Sequence, residues 1–82
     1  MSNLDKEIDR LSIDTAAKLT TRAHEEVKKN PNLRFGQALF NLAALDYPNL
    51  ATFYTGTGAD FYYERESVLV IQMFYEYWVG DE

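Results

Sequence analysis

Three polar side chains interrupt the stretch Leu33–Leu45, LRFGQALFNLAAL: Arg34, Gln37 and Asn41. At i, i+3 and i+7 of a helix they fall within about 60° of one another, so they form one polar seam on an apolar rod. Arg34 is the only base between Lys29 and Arg65. A guanidinium fork binds a carboxylate in bidentate fashion, and a partly buried arginine needs such a partner. Two readings compete. In the first, the seam meets solvent or Arg34 clamps a loop carboxylate such as Asp60. In the second, the seam is presented to a partner protein or a small anion.

Other groups capable of chemistry have simpler readings. His24, the single histidine, lies in RAHEEV with no nucleophile beside it, and reads as a solvated or boundary residue. Glu25–Glu26 and Glu64–Glu66 are carboxylate pairs, which do acid–base work only where a cleft separates their pKa values; here they read as surface or helix-start charge. The TGTG of residues 55–58 lacks the Lys-Ser/Thr of a P-loop and the strand–turn–helix setting of a dinucleotide site. The chain has no cysteine, which removes disulfides, thiolate metal sites and a thiol nucleophile together. No catalytic residue, metal ligand or cofactor is expected, and the chain is read as not an enzyme.

Aromatic residues supply the remaining candidates. Asp60 precedes Phe61, Tyr62 and Tyr63, where it can cap a following helix with Phe61 and Tyr62 as anchors. FYEYW, residues 74–78, carries more aromatic surface than a small core encloses. Tyrosine and tryptophan are also interface residues. The candidate binding residues are therefore Arg34, Gln37, Asn41, Asp60, Tyr62, Tyr75, Tyr77 and Trp78.

The elements that must position these residues read as helices. Leu4, Ile8, Leu11, Ala16, Leu19, Ala23 and Val27 recur at spacings of mostly three and four, which predicts one long first helix starting at Ser2 or Asn3. A break at SIDT is the alternative, since Ile13 falls off the stripe and Ser12 or Asp14 can cap a new helix. Lys28, Lys29 and Pro31 end the segment. The second helix runs from about Leu33 to Leu45 with Asn32 as N-cap; it is apolar over so wide an arc that it must be central or sit in an interface. Gly36 within it implies close approach of another backbone. Pro48, Gly56 and Gly58 mark an aromatic-rich loop, with a short hairpin across GTG as the alternative.

The last segment, ERESVLVIQMFYEYWV, fits two patterns. As a helix it exposes Arg65, Leu69, Gln72 and Glu76 and buries Val68, Val70, Ile71, Phe74, Tyr77 and Trp78. As a strand it has one apolar face from Leu69 to Val79. Its length and acidic start favour the helix. The expected fold is all-α: a small three-helix domain with an aromatic-rich loop between helices 2 and 3. The alternative is α+β, with a hairpin or strand in residues 51–79.

At 82 residues the chain makes a single domain spanning 1–82. A chain of that size buries roughly 60–65% of its unfolded surface, and 46% hydrophobic residues are too many for disorder. The net charge of −5 arises wholly in residues 30–82, where seven acids face only Arg34 and Arg65; residues 1–29 hold six acids and six bases. An acidic surface disfavours direct contact with nucleic acid. The charged opening MSNLDKEIDR has no apolar stretch of a secretory signal, and VLVI is far short of a membrane span, so a cytoplasmic location with no membrane partner is expected.

The NPNLRFGQALFN of residues 30–41, followed by DFYYERE, resembles a group of small bacterial and phage proteins without an established activity. They share an N-P-x-x-R-x-G-Q-x-L-x-N pattern, here Asn30, Pro31, Arg34, Gly36, Gln37, Leu39 and Asn41, then an aspartate and an F-Y pair, here Asp60, Phe61 and Tyr62. The group usually has a proline after that aspartate, where this chain runs directly into Phe61. The resemblance implies helices and a pairing of the Arg34 seam with the Asp60 segment; it supplies no reaction. The expected function is a small non-enzymatic protein-interaction module of phage or mobile-element origin, binding another protein or a second copy of itself. Two alternatives stand beside it. One is an acidic inhibitor of a nucleic-acid-binding host protein, with Asp46, Asp60, Glu64, Glu66, Glu76, Asp81 and Glu82 standing in for phosphates. The other is a small-ligand domain centred on Arg34.

Overall fold

The computed structural model describes residues 10–80. The expected helical positions Leu4 and Ile8, capping by Ser2 or Asn3, and the acids Asp81 and Glu82 lie outside them. Among the described residues the fold is all-α, with four α-helices rather than the three expected and a π-helical turn closing the last.

The first helix, α1, is Ile13–Lys29. One helix running unbroken from the start of the chain to Val27 is not what forms: Ser12 is extended and its Oγ accepts the Thr15 N–H at 3.1 Å. That bond satisfies one of the donors a helix start leaves free, so the alternative break at SIDT is correct. Leu11 lies before the cap, buried, its N–H donating to Trp78 O and its carbonyl accepting from Gly80 N, both at 2.9 Å. Ala16, Leu19 and Ala23 form the buried stripe, and Ile13 is exposed as its position off the stripe requires. The helix ends at Asn30, ahead of Pro31.

Helix α2 is Phe35–Asp46. It starts two residues after the expected Leu33, and Arg34 rather than Asn32 is its N-cap. The Leu33 N–H bonds the Asn30 carbonyl instead, so residues 30–33 form a turn that leaves Asn32 outside the helix. The helix is central, packing on α1 and on the two later helices. Gly36 explains itself here. A β-carbon on it would stand 2.6 Å from the Phe61 carbonyl oxygen and 3.2 Å from that of Glu64.

The expected loop after α2 contains a third helix, α3, Pro48–Tyr54. Pro48 ends α2 and begins α3, because its fixed φ and missing N–H suit a first helical turn. Seven residues are too few to show a period in sequence; burial of Leu50, Ala51 and Tyr54 holds the helix in place. The connection from Thr55 to Glu66 is then loop, as expected, with no hairpin across it. Gly56 takes φ +80°, a conformation that favours glycine.

The last helix, α4, is Ser67–Met73, and the π-helical turn Phe74–Trp78 continues it. The helical reading of this segment is correct, and the strand and hairpin readings of 51–79 are not: the described residues hold only an isolated bridge between Leu11 and Val79. Val70, Phe74 and Trp78 are buried at steps of four. Val68 and Tyr77, expected on that face, are exposed. Val68 stands two residues from Val70, about 200° around the axis. In the wider π turn each residue turns the chain through less than the α-helical angle, so Tyr77 stops further round from Phe74.

The core is aromatic. The Trp78 ring meets those of Tyr54, Phe61, Phe40 and Phe74 at centroid separations of 5.1, 5.2, 5.4 and 5.9 Å. Its indole Nε1–H donates to the Ala59 carbonyl at 2.9 Å, and the Tyr54 hydroxyl donates to the Tyr77 carbonyl at 2.5 Å. Both bonds tie α3 and the loop to the end of the chain. No helix among the described residues is long and apolar enough to cross a membrane.

Candidate functional site

The polar seam begins at the start of α2. Gln37 Oε1 accepts the Arg34 N–H at 3.1 Å, which closes the first turn. The reciprocal half of a capping box cannot form, since a guanidinium has no acceptor. Arg34 is half-buried and its Nε is enclosed without a hydrogen-bond partner. Asn41 is exposed. Gln37 thus has a local structural job, and Asn41 stands in solvent beyond it.

The expected clamp between Arg34 and Asp60 does not form. Asp60 Oδ2 accepts the Gly56 N–H at 2.8 Å and Oδ1 accepts the Tyr62 N–H at 3.1 Å. Nor does Asp60 cap the last helix, whose N-cap is Glu66. Donors only four and two residues away in sequence reach the carboxylate first, giving an Asx-type turn. The Arg34 and Asp60 segments do meet, but through backbone: the Phe61–Glu64 turn lies against Gly36.

Asp60 and Tyr62 come together with residues not foreseen as site residues. Phe40, Thr55, Asp60, Tyr62 and Tyr63 line a hollow of about 190 Å³. The Phe40 and Tyr62 rings stand at 84° with centroids 5.8 Å apart; the Tyr62 and Tyr63 rings stand at 67° and 4.8 Å. A larger depression of about 400 Å³ lies over Ala17, Lys18, Thr21, Arg22 and Glu25. All five belong to one face of α1, so it is an open helix surface with no opposing wall.

The aromatic cluster at the end of the chain divides. Trp78 is fully buried and has no surface to offer a partner. Tyr75 and Tyr77 are 36% and 42% exposed, joined on the same helical segment by Val68 at 69% and Leu69 at 43%. These four leave an apolar outer surface around Gln72 and Glu76, which are also exposed. Leu69 is exposed as the helical reading expected, whereas Val68 was missed because that reading placed it on the buried arc. Phe40, Thr55 and Tyr63 were missed because only the folded loop brings them to Asp60. The repeated tyrosine of FYY, with one ring too many for a single buried face, was the available signal.

His24 is the boundary residue expected: exposed, with its ring stacked on Phe35 at 4.5 Å. Comparison of the chain with protein-family models, curated proteins and solved structures gives no match.

Proposed function

We propose that this chain is a cytoplasmic, non-enzymatic interaction module that docks another protein on the outer surface of α4 and its π turn. The carrying observation is the exposure of Val68, Leu69, Tyr75 and Tyr77 on one helical segment. A helix with apolar residues on both its inner and outer faces belongs in a core or an interface, and tyrosine is enriched where proteins meet. The polar groups expected to do chemistry support the same reading, because they have structural work: Gln37 closes a helix start and Asp60 holds a turn. The resemblance of residues 30–41 and 60–62 to small bacterial and phage proteins supports a mobile-element origin.

The test is site-specific photo-crosslinking in cells, with the reactive group placed at Gln72 or, as the control surface, at Lys18 on the outward side of α1. A discrete adduct from Gln72 but not from Lys18, lost in a Val68→Lys/Leu69→Lys variant that remains helical, is the expected result. An adduct of twice the chain's mass identifies a second copy as the partner. No adduct, or equal labelling from both positions, overturns the reading.

The acidic-inhibitor alternative has less support. Asp60 is engaged by two backbone N–H groups, and Asp46 lies 3.8 Å from Arg22. Glu64 Oε2 accepts the Glu66 N–H at 3.2 Å, so three of the seven carboxylates that it requires already face partners within the chain.

A further inference from the structure

The hollow beside Asp60 has the chemistry of a cation receptor. Its walls are the rings of Phe40, Tyr62 and Tyr63, and its remaining lining is Thr55 and the Asp60 carboxylate. Neither lysine nor arginine lines it. Aromatic faces carry the negative side of a quadrupole and attract cations. Phe40–Tyr62 and Tyr62–Tyr63 meet edge to face, at 84° and 67°, rather than in a parallel stack, so their faces are not hidden against one another. The carboxylate is held still by N–H groups at 2.8 and 3.1 Å, one on each oxygen. A carboxylate oxygen can take a second donor or face a positive charge while bonded in this way.

Size and chemistry narrow the occupant. A hollow of about 190 Å³ is smaller than the ~300 Å³ at which drug-sized ligand sites begin, and it suits a headgroup rather than a larger molecule. A hard metal ion needs several oxygen ligands and a tight shell, and one carboxylate among three rings does not provide it. A weakly hydrated cation with a methylated surface needs neither. We propose that this hollow binds a quaternary or alkylated ammonium group, with the rings around its methyl groups and Asp60 as counter-charge. The site is separate from the outer surface of α4 and does not depend on what docks there.

Choline is the probe. It is titrated into the native protein while the ring protons of Tyr62 and Tyr63 are followed by NMR, with sodium chloride at matched ionic strength as the blank. 3,3-Dimethyl-1-butanol, its uncharged isostere, is titrated in parallel. Saturable shifts on both rings with choline are expected, with affinity for the neutral isostere at least about tenfold lower. Tyr63→Leu is the test variant, because Tyr63 is largely exposed and its loss leaves the core intact. It should weaken choline binding several-fold with an unchanged melting curve. Asp60→Asn should weaken it as well, and its melting curve shows whether the turn survives. Equal affinity for the two probes would reduce the site to an apolar hollow and overturn the proposal. Linear, unsaturable shifts, or undiminished binding by Tyr63→Leu, would overturn it too.

Discussion

The carbonyl oxygen of Phe61 lies 2.6 Å from where a β-carbon on Gly36 would stand. The Phe61 oxygen also accepts the Glu64 N–H at 3.1 Å, so it is part of a turn and cannot simply rotate away. A glycine in a helix interior costs about 1 kcal/mol against alanine, and Gly36, in the first turn of α2, costs no more than that. Here the clash outweighs that gain. Gly36→Ala should destabilise the domain by about 1–3 kcal/mol, read as a lower urea midpoint. Gly58→Ala is the control: its β-carbon would meet nothing within 4 Å, and the change should be neutral or slightly stabilising.

Trp78 is the single tryptophan and is fully buried among four rings. Its fluorescence should be blue-shifted and poorly quenched by acrylamide in the folded protein, and should shift red on unfolding. Trp78→Phe removes ring volume and leaves the Ala59 carbonyl without its 2.9 Å donor. A loss of about 2–4 kcal/mol in thermal or denaturant unfolding is expected.

Tyr54→Phe removes only a hydroxyl, the one that donates to the Tyr77 carbonyl within the π turn. The expected cost is about 1 kcal/mol. Amide exchange should distinguish this from a global effect: protection should fall at Trp78 and Leu11 more than in α1.

Arg34 has a partnerless Nε enclosed by protein, which offsets what its aliphatic stem contributes by packing. Arg34→Met keeps the stem's length and removes the uncompensated polar atom. Its stability should stay within about 1 kcal/mol of the parent. Loss of the fold, or of several kcal/mol, would show a clamp holding the guanidinium in solution.

Ser12→Ala should cost about 1 kcal/mol by removing the Oγ that accepts the Thr15 N–H. Helicity measured by circular dichroism should fall slightly, at the start of α1.

Much of this fold is legible in local sequence, and the failures share a cause. The stripe Ala16–Leu19–Ala23, the stop at Pro31 and the breadth of apolar residues on α2 each follow from spacing alone. Gly36 announces a close neighbour because glycine is costly there, although the neighbour's identity needs the fold. By contrast, Pro48–Tyr54 is too short to show a period, and tertiary burial makes it a helix. The π turn has no sequence signature, and with it the exposure of Tyr77 was hidden. For the candidate site, Asp60 and Tyr62 were named from the sequence and Phe40, Thr55 and Tyr63 were not: Phe40 is 20 residues from Asp60 and shares no local pattern with it, and only the fold of the loop turns the nearby Thr55 and Tyr63 to the same hollow. The salt bridge to Arg34 failed because backbone donors beside Asp60 have almost no loop to close.

The pairing of Leu11 with Val79 has a consequence for biosynthesis. It joins positions separated by most of the described chain, and such contacts are late and slow to form. The aromatic core waits on the same residues, because Trp78 is adjacent in sequence to that bridge. While the polypeptide is still being made, α1 to α3 emerge from the ribosome with the indole that fills their centre missing. The domain therefore completes its core only once Trp78 and Val79 have left the ribosome, and until then the apolar surfaces of its emerged helices are open to chaperones and proteases.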